Sequence, residues 1–126
     1  MTSLWIEPFG GVAGDMLLAA LLDLDDPRFR LADLRALAQE LVPGEAELAV
    51  EVVQRGNLRA LCLSVLTPES AHPPHRHLAD LERILERSSL PQRARRRASA
   101  ALAALAAAEG RVHGVDPGRV HFHEVG

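Results

Sequence analysis

The spacing of apolar positions changes several times along this chain, and each change marks an element. Leu4, Trp5 and Ile6 form a short apolar run that reads as a strand. Glycines follow at 10, 11 and 14. From Met16 onward, Leu17, Leu18, Leu21 and Leu22 recur at helical spacing. Asp25-Asp26-Pro27 makes a turn. Leu31, Leu34, Leu37, Ala38 and Leu41 then share one face of a second helix, which Pro43-Gly44 ends. Strict alternation takes over: Leu48, Val50 and Val52 oppose Glu47, Ala49 and Glu51, the pattern of a strand with one wet face. Arg55-Gly56-Asn57 turns the chain, though not as a strong two-residue type, and Leu61, Leu63 and Val65 alternate again, so the pair predicts a β-hairpin. Cys62 falls on the face opposite Leu61 and Leu63, as a small half-buried residue.

Periodicity stops between Thr67 and His77, where Pro73 and Pro74 forbid a helix. Leu78, Leu81, Ile84 and Leu85 restore a helical face. Pro91 suits the first turn of another helix, striped by Ala94, Ala98, Ala101, Leu102 and Leu105. That helix is expected to fade between Gly110 and Gly114. Asp116-Pro117-Gly118 turns the chain into a last strand, Val120 to Val125. The order of strand, helix pair, two strands, helix pair and strand predicts an α+β split β-α-β (ferredoxin-like) two-layer sandwich, with the helices on one face of a four-stranded sheet. A small parallel α/β sheet is the alternative. No repeat or long linker divides residues 1–126, so a single domain is expected.

Composition narrows the function. Apolar residues make up 48 %, enough for a core, yet no uninterrupted run reaches the ~18 residues of a membrane span. No charged-then-apolar leader opens the chain, and one cysteine excludes an internal disulfide, so a cytoplasmic setting is expected. The net charge of −3 and an aromatic content of 3 % argue against a nucleic-acid partner. The basic cluster Arg93, Arg95, Arg96 and Arg97 reads as a solvated helix face.

Two groups of residues carry candidate chemistry. Glycines at 10, 11 and 14 let the backbone take positive φ and let a ligand approach the start of the first helix, where N–H groups point outward. A tight connection with glycines needed only for packing is the plainer alternative. Asp15 suits the helix dipole but repels a bare phosphate, and so favours a metal or a cationic ligand. The second group is imidazole. His121 and His123 are two apart, which on a strand points both rings to one face and leaves Phe122 to packing. Such a pair suits nickel, zinc or copper. His72, His75 and His77 add donors from a loop, while His113 near a helix end suits the helix dipole. In a ferredoxin-like order, Glu7, Asp15, the 72–77 loop and His121/His123 are expected to meet at one sheet edge.

Glu7 to Met16 resembles the N-terminal signature of the nickel-insertion proteins that mature the nickel-pincer nucleotide cofactor of lactate racemase (the LarC family). His75-Arg76-His77-Leu78, Val112-His113-Gly114-Val115 and Val120-His121-Phe122-His123-Glu124-Val125-Gly126 resemble further segments of that family, in the same order. The resemblance implies nickel insertion into a pyridinium-3,5-bisthiocarboxylic acid mononucleotide, a lyase or chelatase reaction with cytidine triphosphate as co-substrate. It implies cofactor-precursor contacts at Gly11, Gly14 and Asp15, and metal contacts at His75, His77, His121, His123 and Glu124. It also implies a C-terminal domain, tied to the nucleotide and to assembly as a homo-oligomer, that is absent from these 126 residues; the region alone is expected to be inactive. Glu7 stands where the family has Asp, and Gly10 and Ala13 where it has Ser, which removes two hydroxyls able to donate to a phosphate. A metal-storage module and an oligomerisation domain with vestigial histidines are the competing classes. A hydrolytic metal site is disfavoured, since no helix carries His-Glu-x-x-His.

Overall fold

A computed structural model describes residues 3–8, 10–68, 76–120 and 122. The chain divides into two compact units, residues 1–68 and 69–126. The division falls within the stretch where the apolar period is lost.

The first unit holds helix α1 (Gly14–Asp23), helix α2 (Leu31–Leu41) and strands β1 (Glu47–Arg55) and β2 (Leu58–Leu66). The strands pair antiparallel with Leu48 opposite Val65, Val50 opposite Leu63 and Val52 opposite Leu61. Directly opposed residues share a face, so the alternation in each strand adds up to one apolar surface. Leu48 and Leu63 meet Ala19 of α1 in a small core, flanked by Leu18, Leu22, Leu31, Leu34, Ala38, Val50 and Leu61. α1 lies on β2 and α2 on β1. The hairpin turns in two residues, Arg55 pairing with Leu58. Gly56 has φ +60°, which places glycine at the first central position, as a type II′ turn requires. The turn is thus stronger than its sequence suggests. Arg35 crosses from α2 to donate to the Leu48 carbonyl through Nε at 3.0 Å and Nη2 at 2.9 Å. Arg59 of β2 pairs with Asp23 at the end of α1 at 2.7 Å.

The second unit holds helices α3 (Leu78–Arg87) and α4 (Gln92–His113) and a short 3₁₀ turn, Pro117–Arg119. α3 packs against α4. Their connection is tied by Ser88, whose Oγ donates to the Leu85 carbonyl at 2.6 Å and whose own carbonyl accepts from Arg95 Nη1 at 3.1 Å. α4 ends within the expected stretch: the helix runs to His113 and Gly114, with φ +66°, caps it. Gly110 is buried for a different reason. A Cβ there would lie 2.8 Å from the Val115 carbonyl oxygen and 3.3 Å from Pro117 Cγ. Its missing side chain lets the chain fold back over the end of α4. Val120 and Phe122 then reach Ala106, Leu78, Leu81 and Leu105 and form the second core.

The four-stranded sandwich is therefore wrong. Among the described residues the only sheet is the two-stranded β1–β2 ribbon. Leu4–Ile6 is not a strand; Trp5 is 83 % exposed. A three-residue apolar run becomes a strand only by pairing with a ladder edge, and among the described residues Leu4–Ile6 pairs with neither edge of the ribbon. Val120 and Phe122 lie outside any strand too, and the other residues of that expected element, 121 and 123–125, lie outside the described residues. Burial of alternate positions is satisfied by two helices instead of by a sheet. The sheet edge expected to gather the candidate ligands is consequently not formed among the described residues.

Candidate metal centre

The glycine segment begins with a turn in which the Pro8 carbonyl accepts from Gly11 N–H at 3.1 Å. Gly10 and Gly11 have φ +82° and +104°, a region side chains rarely enter. A Cβ built on Gly10, Gly11 or Gly14 meets no heavy atom within 4 Å. Internal packing therefore does not demand these glycines. Two of them serve backbone shape, and all three leave the approach to α1 open. Ala13 precedes α1 in extended conformation and offers no side-chain cap, where a serine would have one. Asp15 is exposed in the first turn, with Oδ1 accepting from Met16 N–H at 2.8 Å. It also lines a cavity of about 190 Å³ with Met16, Ala19, Arg55 and the half-buried Cys62.

In the second unit His77 is the described histidine of the 72–77 group. It precedes α3 in extended conformation, and its backbone N–H donates to Asp80 Oδ2 at 2.9 Å. That bond is the main reason the Asp80 carboxyl is held below the usual carboxylate range, with Arg83 contributing through charge and a hydrogen bond. A carboxylate three residues into a helix, reaching back to the residue before it, fixes the entry of the chain. The His77 ring turns the other way, and the Val120 carbonyl oxygen accepts from its Nδ1 at 3.2 Å. Val120 is anchored by its own buried side chain, by the Phe122 ring two residues on, and by a turn in which Asp116 Oδ1 accepts from Gly118 N–H at 2.8 Å.

Gly11, Gly14 and Asp15 thus belong to the first unit and His77 to the second, while His75, His121, His123 and Glu124 lie outside the described residues. Among the described residues no three His, Cys, Asp or Glu side chains gather closely enough to hold an ion. His113 lies in the last turn of α4, near the helix end as expected, and its Nε2 is 3.1 Å from Glu109 Oε2. Sequence reasoning missed Asp80, Gly110 and the Val120 carbonyl. Asp80 was detectable, since an acidic residue at the third helical position is a recognised start signal. Neither Gly110 nor a backbone carbonyl leaves any such trace.

The described residues thus assign two separate features, a glycine-opened helix start in the first unit and an imidazole at a backbone carbonyl in the second. The comparisons make the assignment specific: a family model described as "Nickel insertion protein" matches residues 4–126, and the chain belongs to that family. It is 42 % identical over its whole length to a "Putative nickel insertion protein" of Geobacter metallireducens and covers 32 % of that relative. It is 44 % identical to a protein of the same description from Myxococcus xanthus, with 98 % of this chain and 31 % of the relative aligned. It is 39 % identical over its whole length to the "Pyridinium-3,5-bisthiocarboxylic acid mononucleotide nickel insertion protein" of Akkermansia muciniphila, 32 % of which it covers. The chain spans about a third of the length of these curated relatives. No solved structure matches it. Among the described residues no helix is long and apolar enough to cross a membrane.

Proposed function

We propose that residues 1–126 form the nickel-handling region of a protein that inserts nickel into pyridinium-3,5-bisthiocarboxylic acid mononucleotide. The His77 ring, set by the Val120 carbonyl next to the segment that carries His121 and His123, is the observation that supports this reading most directly. Nickel is cargo here. His75, His77, His121, His123 and Glu124 are its proposed holders, and Gly11, Gly14 and Asp15 contact the mononucleotide precursor. Imidazole nitrogens bind nickel well, but the thiocarboxylate sulfurs of the precursor are softer donors. A protein site that leaves coordination positions open passes the ion on, whereas a closed one traps it. Asp15 is no cradle for the precursor's phosphate. Its carboxylate suits the pyridinium cation instead.

Cytidine triphosphate is the proposed co-substrate, acting with the part of the family's sequence that lies beyond this third. The cytoplasm is the proposed compartment and a homo-oligomer the proposed assembly. Calorimetric nickel titration tests the metal role. His121→Ala/His123→Ala is expected to bind nickel about tenfold or more weakly than the wild type, the scale of losing a metal contact or its support. Equal affinity removes that pair from the site.

A further inference from the structure

We infer that Trp5 is the stacking platform for the pyridinium ring of the mononucleotide, with Glu7 orienting the indole and supplying the opposing charge. This rests on the reading that the segment around the glycine turn contacts that precursor. Three observations carry it. Trp5, the sole tryptophan of the chain, is 83 % exposed. Its Nε1 donates to Glu7 Oε1 at 3.0 Å. Shortly after Glu7 the backbone opens: Gly10 and Gly11 have φ +82° and +104°, and a Cβ on either meets no heavy atom within 4 Å.

A tryptophan usually gains both packing for its ring and a partner for its N–H. Trp5 has the partner without the packing. An indole N–H lies in the ring plane, so this bond orients the ring and covers neither face. The acceptor is a carboxylate, which strengthens the bond and sets negative charge at the ring's edge. Of the aromatic faces, that of tryptophan attracts a cation best. A flat aromatic cation satisfies both groups, the ring by stacking and the carboxylate by charge. A neutral ring satisfies only the first, and a bare metal ion lacks the stacking surface. Residues 1–16 carry Glu7 and Asp15 and no Lys, Arg or His. The same segment of a second copy would therefore bring like charge to this arm, whereas a pyridinium brings the opposite one.

With one tryptophan in the chain, its fluorescence reports this ring alone. The probe is nicotinamide mononucleotide, a pyridinium mononucleotide free of sulfur and nickel. It is expected to quench the emission saturably. Benzamide riboside monophosphate, which has an uncharged ring of the same shape, is expected to bind about two- to fivefold more weakly. By calorimetry, Trp5→Leu is expected to bind the probe about fivefold or more weakly, and Trp5→Phe to recover part of the loss. Glu7→Gln, whose amide oxygen still accepts from the indole, is expected to shrink the preference for the charged ring. Quenching that rises linearly without saturation overturns the inference, since collision with an exposed ring suffices for it. Equal affinity for the two rings overturns it, as does unchanged affinity in Trp5→Leu. A blue emission maximum that moves to the red on dilution shows a second copy over the ring and also overturns it. Nickel titration of the same chain is independent of all these outcomes. Loss of the nickel role leaves stacking of the probe intact, and failure of the stacking leaves the nickel role to be read by itself.

Discussion

In residues 1–68 a hairpin lends one face to two short helices; in residues 69–126 a helix pair encloses the side chains of a returning tail. The first arrangement leaves much apolar surface in water. Leu4, Trp5, Ile6, Val12 and Met16 are all more than half exposed, clustered in sequence around the glycine turn. In the second, Ala106 is wholly buried and Val120 and Phe122 nearly so. The contrast matches the two jobs proposed. A segment that must admit a mononucleotide is held by its backbone conformation and a thin core. The segment that carries the proposed imidazole holder is tied to a core in which Val120 and Phe122 pack against α3 and α4.

The sharpest way to break this comparison is Phe122→Ala. It empties a buried aromatic site and is expected to destabilise the second unit by about 3–5 kcal/mol, read by amide exchange in α3 and α4. Exchange in β1 and β2 is expected to change less. A uniform loss over both units would mean that the tail supports the whole chain.

Gly110→Ala comes next. Alanine favours a helix interior, yet its Cβ would meet the Val115 carbonyl oxygen at 2.8 Å. The contact is expected to prevail and cost about 1–3 kcal/mol, seen as faster exchange at the end of α4 and a lower unfolding midpoint. Stabilisation instead would show that the fold-back at Val115 yields without cost.

Gly11→Ala tests the first unit. Its Cβ meets nothing, so the cost is that of a positive φ alone, about 1 kcal/mol. Trp5→Ala, in the exposed arm, is expected to stay within about 0.5 kcal/mol in denaturant unfolding. A larger loss would reveal that Trp5 is packed in solution.

The smallest effect is on pH. Hydrogen bonds from the Arg28 side chain and backbone hold the Asp26 carboxyl down to about 2. The folded form therefore binds its proton later than the unfolded chain on acidification. The stabilisation is complete above the ordinary carboxylate range and is lost as pH falls from there through about 2. Asp26→Asn is expected to flatten that part of the stability–pH curve, and an unchanged slope would show the turn contributes nothing.

Elements whose own apolar spacing closes a surface were readable from the chain. α2, the hairpin, α3 and α4 all followed from periods of 3.6 or 2, because each such face must be buried by something. The glycine turn was readable for a local reason too, since Gly10 and Gly11 can adopt the positive φ they show at no steric cost. The family was readable from short motifs that need no fold at all. Tertiary structure alone decided what does the burying. Leu4–Ile6 has a strand's composition but no ladder partner among the described residues, and Val120 and Phe122 satisfy their alternation against helices. It also decided that Gly110 marks a close approach of the returning chain, and that a backbone carbonyl far along the chain meets the His77 ring. Periodicity records that a side must be covered; only the folded chain supplies the partner, because that choice depends on contacts between residues distant in sequence.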